Sequence, residues 1–154
     1  METTEIKTLL HHREPYLLVD KVLEINPHKI KTQKIHTGSE FYIQGHFPGA
    51  PVVPGAMQQE MCTQAAGLLL TKYHAPVQNY DSEVTKGWAI GVLNKVESAK
   101  YLSIVKPDTA IDIEVELLES FENLFKFRAK VSQRGELKSK MLFNLMNISD
   151  QYLY

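Results

Sequence analysis

Two segments in the C-terminal half of the chain alternate apolar and polar residues without interruption. The apolar positions are Ile111, Ile113, Val115 and Leu117 in the first segment, and Phe125, Phe127, Ala129 and Val131 in the second. A period of two predicts strands that each bury one face. Charged residues fill the opposite faces, with Asp112, Glu114 and Glu116 in the first segment and Lys126, Arg128 and Lys130 in the second. A hairpin through residues 120–123 would therefore set an acidic face beside a basic one.

The rest of the chain predicts further strands and one long helix. A third C-terminal strand over residues 137–147 follows the Arg134-Gly135 turn. Near the N-terminus we expect a short helix at 5–10, strands at 16–25 and 29–37, and a turn at 26–28, where Pro27 cannot donate to a sheet. Residues 45–55 hold three prolines and three glycines and predict an ordered loop. Pro54 suits the first turn of a helix that continues to Tyr73.

These elements predict a single α+β domain over residues 1–154, in which an antiparallel sheet wraps one long helix. Lysine and arginine total 17 against 18 acidic residues, which argues against a nucleic-acid partner. Apolar runs such as residues 67–70 are too short to span a membrane, and no signal-peptide pattern opens the chain, so we expect a cytoplasmic protein. A single cysteine, Cys62, excludes an internal disulfide and a cysteine-rich zinc site.

Candidate chemistry centres on the loop and on the start of the long helix. His46 lies in the loop and Glu60 in the second turn of the helix, where the helix dipole alone would favour a glutamate. Gln64, four residues later, shares the face of Glu60 and could orient its carboxyl group. The free N–H groups of Gly55 and Ala56 could polarise a carbonyl oxygen. Together these groups suit proton removal beside a carbonyl.

Two other features have simpler explanations. His11 and His12 are adjacent, so their side chains diverge and lack the spacing of a metal site. Cys62 faces away from Glu60 on a helix and is predicted to be a small buried residue rather than a nucleophile. The residues therefore predict no metal site.

Two stretches of sequence carry a resemblance to a known family. Residues 45–55, GHFPGAPVVPG, followed by Glu60 and Gln64, closely resemble the active-site signature of the β-hydroxyacyl-acyl-carrier-protein dehydratases, the FabA/FabZ-like family. Residues 10–22, LHHREPYLLVDKV, resemble the family's N-terminal pattern, with His11 where proline is usual. Residues 96–101 are a looser match to its central strand. The resemblance spans roughly residues 5 to 145.

The resemblance implies a hotdog fold, in which an antiparallel sheet wraps a helix. It also implies assembly into at least a homodimer, with a trimer of dimers as a larger alternative. His46 from one subunit would remove the C2 proton of a 3-hydroxyacyl thioester, and Glu60 from the other would help the C3 hydroxyl leave. The Val52 carbonyl would hold His46, and the Gly55 N–H would bind the thioester oxygen. The product would be a trans-2-enoyl thioester. The implied partner is an acyl carrier protein, whose phosphopantetheine arm carries the substrate, and no cofactor is required.

Further residues have predicted supporting roles. Met57, Gln59, Trp88 and Tyr101 are candidates for lining the substrate tunnel, although each could equally serve in packing. Lys100 and Lys106 are candidates for contact with an acidic carrier protein, against the alternative of an ordinary solvated face.

The sequence also departs from the family pattern. Residues 56–59 read AMQQ where aliphatic residues are usual, and residues 102–104 read LSI where the family has basic residues and a proline. These departures suggest a specialised pathway rather than housekeeping fatty-acid elongation. They also keep open a non-catalytic, dehydratase-like partner subunit. A hotdog thioesterase or an enoyl-CoA hydratase is the alternative among enzymes, and His46 and Glu60 in the dehydratase spacing favour dehydration over thioester hydrolysis.

Overall fold

The computed structural model describes residues 1–84, 90–149 and 152 of the chain. Three helices and six strands occur in the described part, in the order α1 (Thr3–Leu9), β1 (Lys21–Asn26), β2 (Lys29–Lys34), α2 (Phe41–Gln44), α3 (Gly55–Tyr73), β3 (Ile90–Tyr101), β4 (Ile111–Phe121), β5 (Leu124–Gln133) and β6 (Glu136–Ile148). None of the helices described is long and apolar enough to cross a membrane.

The six strands form one antiparallel sheet in the order β1-β2-β4-β5-β6-β3. The two hairpins β4–β5 and β5–β6 follow the chain, whereas β3 comes before them in sequence and pairs at the far side of β6. Among the described residues, no strand pairs with its other side, so β3 is a 12-residue edge strand.

Helix α3 is packed against the inner face of this sheet. Its residues Met61, Leu68 and Leu69 are completely buried, and so are Ile111 and Phe127 on the facing strands. Each such side chain contributes about 1.5–3 kcal/mol when it leaves water. The helix contacts all six strands and is buried on most of its circumference, so that even polar residues such as Gln58 are buried. The expected helix wrapped by an antiparallel sheet is confirmed.

The predicted hairpins agree with the observed register. Glu114 pairs with Lys130 and Glu116 with Arg128 across β4 and β5, and the last pair forms an ion pair of 3.3 Å. The turn between β5 and β6 consists of Arg134 and Gly135, both with positive φ (54° and 75°). Positive φ at both central residues matches the right-handed twist of the two strands.

The prediction of a strand from residue 16 is wrong at its start, because β1 begins only at Lys21. Leu18 is buried, but its backbone N–H donates to the side chain of Gln64 at 2.8 Å rather than to another strand. The prediction for β2 is too long for a related reason. The strand ends at Lys34, since the N–H of Ile35 donates to the Asp20 carboxylate.

Two elements were missed or shortened by the sequence patterns. Helix α2, directly before the His46 loop, was not predicted, and β3 extends well beyond the short segment at 96–101. Val92, Leu93 and Val96 of β3 are about 40 % exposed, so this edge strand lacks the alternation that marks a half-buried one. Trp88 lies outside the described residues.

Candidate active site

The loop that carries His46 is held by backbone hydrogen bonds and left-handed turns. The N–H of His46 donates to the carbonyl of Ile43 in α2, and that of Ala50 donates to the carbonyl of Phe47. Phe47 and Gly49 both have positive φ (53° and 86°). A non-glycine residue in this region costs free energy and persists only where its surroundings impose it. The fixed backbone therefore presents the His46 ring, which lies 4.1 Å from the Phe47 ring.

His46 lines a cavity of about 270 Å³ at the N-terminus of α3. Val52, Gly55 and Tyr101 line the same cavity, so two further predicted site residues and one predicted tunnel residue share a common space with His46. Gly55 is the first residue of α3, where backbone N–H groups have no acceptor within the helix. A Cβ atom at Gly55 would lie 2.8 Å from the Tyr101 ring, so only glycine fits without a shift.

Gln58 is a further lining residue of this cavity, and the sequence analysis named it only as a departure from the family pattern. Its amide is fully engaged: Oε1 accepts a hydrogen bond of 2.7 Å from the hydroxyl of Ser139 in β6, and Nε2 donates to the carbonyl of Val53. These bonds join the helix, the sheet and the loop beside His46. Partnered on both sides, the buried amide avoids the cost of an unmade hydrogen bond.

The other two tunnel candidates in α3 lie elsewhere. Met57 is half-buried and packs against the hydrophobic core. Gln59 is buried, and its amide nitrogen lies 3.4 Å from the Thr63 hydroxyl. Neither residue is among those that line the His46 cavity. Their roles in a substrate tunnel remain predictions.

Glu60 lies in a separate cluster, between α3 and the segment before β1. Gln64 is almost fully buried and donates a hydrogen bond of 2.9 Å from Nε2 to Glu60 Oε1. The same nitrogen donates to the carbonyl of Tyr16, while Oε1 of Gln64 accepts from the N–H of Leu18. With both ends of its amide bound, Gln64 cannot rotate freely. The predicted orientation of the Glu60 carboxyl by Gln64 corresponds to this contact.

Burial raises the pKa of Glu60 above its usual range, and the hydrogen bond from Gln64 opposes only part of that effect. Only 19 % of the Glu60 side chain is exposed. Water therefore stabilises the carboxylate poorly, and the neutral acid is favoured. A carboxyl group that keeps its proton closer to neutrality is suited to act as a general acid.

His12 is the residue of this cluster that the sequence analysis did not assign to the site. Its Nε2 lies 3.7 Å from Glu60 Oε1. Burial is the main cause that lowers the pKa of His12, and the nearby charges of His11 and Arg13 add to it. The only signal in the sequence is that His12 falls within the N-terminal motif, because its distance from Glu60 depends on how residues 10–18 fold over α3.

In the described chain, the candidate site residues therefore fall into two separate groups, one around His46 and one around Glu60, which we call half-sites. The cavity with His46 does not include Glu60 among its lining residues, and Glu60 contacts His12 and Gln64 instead. Among the described residues, no group of three or more His, Cys, Asp and Glu side chains has an arrangement that could hold a metal. Lys100 and Lys106, the candidates for carrier contact, are both exposed, and Lys100 directly precedes Tyr101 of the His46 cavity.

The comparisons with known proteins agree on one family. A family model described as ApeI dehydratase, of the ApeI-like group, matches residues 24–141. A protein named 3-hydroxyacyl-[acyl-carrier-protein] dehydratase FabZ from Rickettsia bellii is 35 % identical over 147 residues, which cover 95 % of each chain. A protein of the same name from Petrotoga mobilis is 37 % identical over 128 residues, covering 83 % of this chain and 84 % of that one. The chain belongs to this family of hotdog-fold dehydratases.

A solved structure supports the fold independently. The dehydratase heterocomplex ApeI:P from Xenorhabdus doucetiae contains a chain that is similar to this one with a TM-score of 0.77 and 18 % sequence identity. The likeness covers 96 % of this chain and 93 % of that chain. At this identity the likeness bears on the fold alone, and it confirms the predicted hotdog architecture.

Proposed function

We propose that this chain is a 3-hydroxyacyl-[acyl-carrier-protein] dehydratase, which removes water from a 3-hydroxyacyl thioester and forms a trans-2-enoyl thioester. The observation that carries the proposal is the shared cavity of His46 and the N-terminus of α3. An imidazole base and free backbone N–H groups at one cavity are what removal of a proton beside a thioester carbonyl requires. The FabZ relatives are named for this reaction.

In the proposed mechanism His46 takes the proton from C2 of the substrate. Negative charge develops on the thioester oxygen, and the N–H of Gly55 stabilises that charge at the positive end of the helix dipole. Glu60, whose pKa is raised by burial, gives its proton to the C3 hydroxyl, which leaves as water. The Val52 carbonyl holds the imidazole in the orientation that this step needs. No cofactor takes part in these steps.

The two half-sites support an active site shared between two copies of the chain. A long edge strand with exposed apolar side chains is a template for pairing with another strand. In β3 the unpaired edge runs over 12 residues, with Val92, Leu93 and Val96 exposed. We propose that pairing in a homodimer sets His46 of one subunit beside Glu60 of the other. Assembly into a trimer of dimers and a cytoplasmic location remain predictions.

A second cavity beside His46 offers room for the acyl chain. It has a volume of about 580 Å³, is lined mainly by apolar groups, and shares Val52 and Ile104 with the His46 cavity. Lys106 also lines it. We propose that the chain-length preference depends on this space. The departures at residues 56–59 and 102–104 support a specialised carrier or acyl chain, and turnover on several carriers at several chain lengths tests this idea.

A row of lysines supports an acidic carrier protein as the partner. Lys100, Lys140 and Lys130 are direct cross-strand neighbours on β3, β6 and β5, and together they line a shallow depression of about 290 Å³. All three are exposed, and within the described residues none has a carboxylate in ion-pair range. Like charges directly opposite each other destabilise a sheet, so an acidic partner would relieve their repulsion.

The reaction is tested with purified protein and a short 3-hydroxyacyl thioester on a carrier protein, followed by the absorbance of the enoyl product and by release of free thiol. We expect enoyl formation, and a loss of about 10²–10⁴-fold in rate with His46→Ala. Thiol release without an enoyl product would instead indicate a thioesterase, and equal turnover of the CoA thioester an enoyl-CoA hydratase. A folded oligomer without any activity would favour the non-catalytic subunit.

Mixing two inactive variants tests the shared site. His46→Ala and Glu60→Gln proteins are unfolded together and refolded, so that random pairing makes about half of the dimers mixed. Each mixed dimer would contain one intact site of two, and activity should return to about a quarter of the wild-type value. Each variant refolded alone is the control. No recovery from correctly folded mixed dimers would place both residues in the same subunit's site.

A further inference from the structure

The segment before β1 brings a histidine to the Glu60 carboxyl. Within one chain, Nε2 of His12 lies 3.7 Å from Oε1 of Glu60, the same oxygen that accepts the hydrogen bond from Gln64. Oε2, the other carboxyl oxygen of Glu60, takes part in neither of these two contacts. Two nitrogen atoms thus converge on one oxygen of the group to which the proposed function assigns the acid role.

Contacts other than Glu60 hold His12 in this place. Arg13 donates from Nη1 to the carbonyls of Leu10 and His12, at 2.7 and 2.9 Å, which closes the backbone around the histidine. The imidazole ring stacks on the Tyr16 ring with an interplanar angle of 21°. The ring is therefore positioned by its own segment, and its approach to Glu60 does not depend on a charge on either group.

The protonation of the pair follows from its surroundings. Burial lowers the pKa of His12 and raises that of Glu60, so both groups are driven towards their neutral forms. A neutral imidazole carries one N–H, and Nε2 is the ring nitrogen that faces a carboxyl oxygen. Nδ1 is buried and has no hydrogen-bond partner in the described part of the chain. A proton on Nε2 would find an acceptor there, whereas a proton on Nδ1 would not.

We propose that His12 is a positioning residue for Glu60: its Nε2–H and the Gln64 amide both donate to Oε1 and so keep the acid proton of Glu60 on Oε2. A separation of 3.7 Å is longer than a hydrogen bond, and such contacts in a free enzyme commonly shorten when substrate is bound. Once Oε1 accepts both hydrogen bonds, the acid proton of Glu60 resides on Oε2, where it is available to the substrate.

The proton balance of the step is simple, and this part rests on the proposed function. Oε2 of Glu60 gives its proton to the C3 hydroxyl as the C3–O bond breaks, and the C2 proton passes to His46. The carboxylate that remains keeps the two donors on Oε1, which stabilise its new charge. Glu60 is then reprotonated and His46 deprotonated through solvent, so one substrate gives one enoyl thioester and one water.

Within the described part of one chain, few charged or titratable groups surround the pair. His11 and Arg13 flank His12 on its own segment, Tyr16 stacks on it, and Glu60 faces it from α3. A donor to the carboxylate lowers its pKa. Loss of the His12 donor should therefore move the titration of Glu60 to higher pH, whereas a purely structural role would leave that titration in place.

The test compares His12→Leu, which removes the donor, with His12→Gln, whose amide nitrogen can reach the place of Nε2. His28→Leu is the matched control, because His28 is an exposed histidine in the β1–β2 turn. Proteins labelled with ¹³C at the glutamate carboxyl carbon are titrated by NMR, and Glu60→Gln identifies the Glu60 signal. The turnover of the carrier-bound thioester is measured with the same samples, after circular dichroism has established that each is folded.

We expect the Glu60 titration to move to higher pH in His12→Leu and to stay near wild type in His12→Gln and His28→Leu. The kcat of His12→Leu should fall about 10- to 100-fold with little change in KM, because one hydrogen bond to a developing charge is lost. An unmoved Glu60 titration in folded His12→Leu would overturn the proposal, and so would equal impairment of His12→Gln. The NMR result does not depend on turnover, so an inactive wild type would contradict the proposed function alone.

Discussion

Gln64 connects the acid of the proposed mechanism to the N-terminal segment, and its replacement by leucine isolates that connection. The side chain is 1 % exposed and makes three hydrogen bonds, to the N–H of Leu18, the carbonyl of Tyr16 and the carboxyl of Glu60. Leucine has a similar volume and can make none of them. The variant therefore removes polar contacts while it leaves the packing of the helix largely filled.

The expected loss of stability follows from the groups left behind. The N–H of Leu18 is buried and loses its acceptor, which costs about 1–3 kcal/mol, and the partly buried carbonyl of Tyr16 adds a value near the lower end of that range. The sum is about 2–4 kcal/mol. In a chain of this length it should lower Tm by roughly 5–15 °C. Turnover should also fall, because Glu60 loses the donor that holds its carboxyl.

The assay is denaturant and thermal unfolding followed by circular dichroism, together with turnover of the carrier-bound substrate. Gln78→Leu is the control, since Gln78 is exposed and such a substitution should change the free energy of unfolding by no more than about 0.5 kcal/mol. If Gln64→Leu unfolds like the control and keeps full activity, then Gln64 does not anchor residues 16–18 or orient Glu60, and the account of this cluster is incorrect.

Three further predictions concern the helix start, the acid and the carrier surface. Gly55→Ala should lower the free energy of unfolding by about 1–3 kcal/mol, because its Cβ would lie 2.8 Å from the Tyr101 ring. Gly45→Ala is the control, since its Cβ enters open space, and equal free energies of unfolding for the two variants would contradict the clash. The raised pKa of Glu60 means that the folded state binds more protons than the unfolded state, so wild-type stability should fall relative to Glu60→Gln as pH rises above about 4.3. The free energy of unfolding is measured with denaturant at several pH values, and an equal dependence on pH in the two proteins would refute this. Lys140→Glu should raise the KM for the carrier-bound substrate and leave the KM for a short pantetheine thioester unchanged. Steady-state kinetics measure both values, and a KM that rises for both substrates would exclude carrier docking at the lysine row.

The elements with a strong local signal could be predicted from the sequence. The β4–β5 hairpin is one, because a strand with one buried face needs a period of two, and its charges then become cross-strand pairs such as Glu116 and Arg128. The glycine- and proline-rich loop and the helix after Pro54 are others. Edge strand β3 was largely missed, since neither of its faces is deeply buried in one chain and no alternation marks it.

Motif residues identified the family from the sequence alone, because residues 45–55 together with Glu60 and Gln64 match the signature of the family in residue type and in spacing. The grouping of these residues in space could not be predicted from the sequence. Only the tertiary structure puts His46 and Tyr101 around one cavity and Glu60 in another cluster. It also decides that Leu18 gives its N–H to a glutamine side chain instead of a strand, and that His12 reaches Glu60. These contacts join residues more than 40 positions apart, and local patterns of polarity carry no information about which distant segments meet.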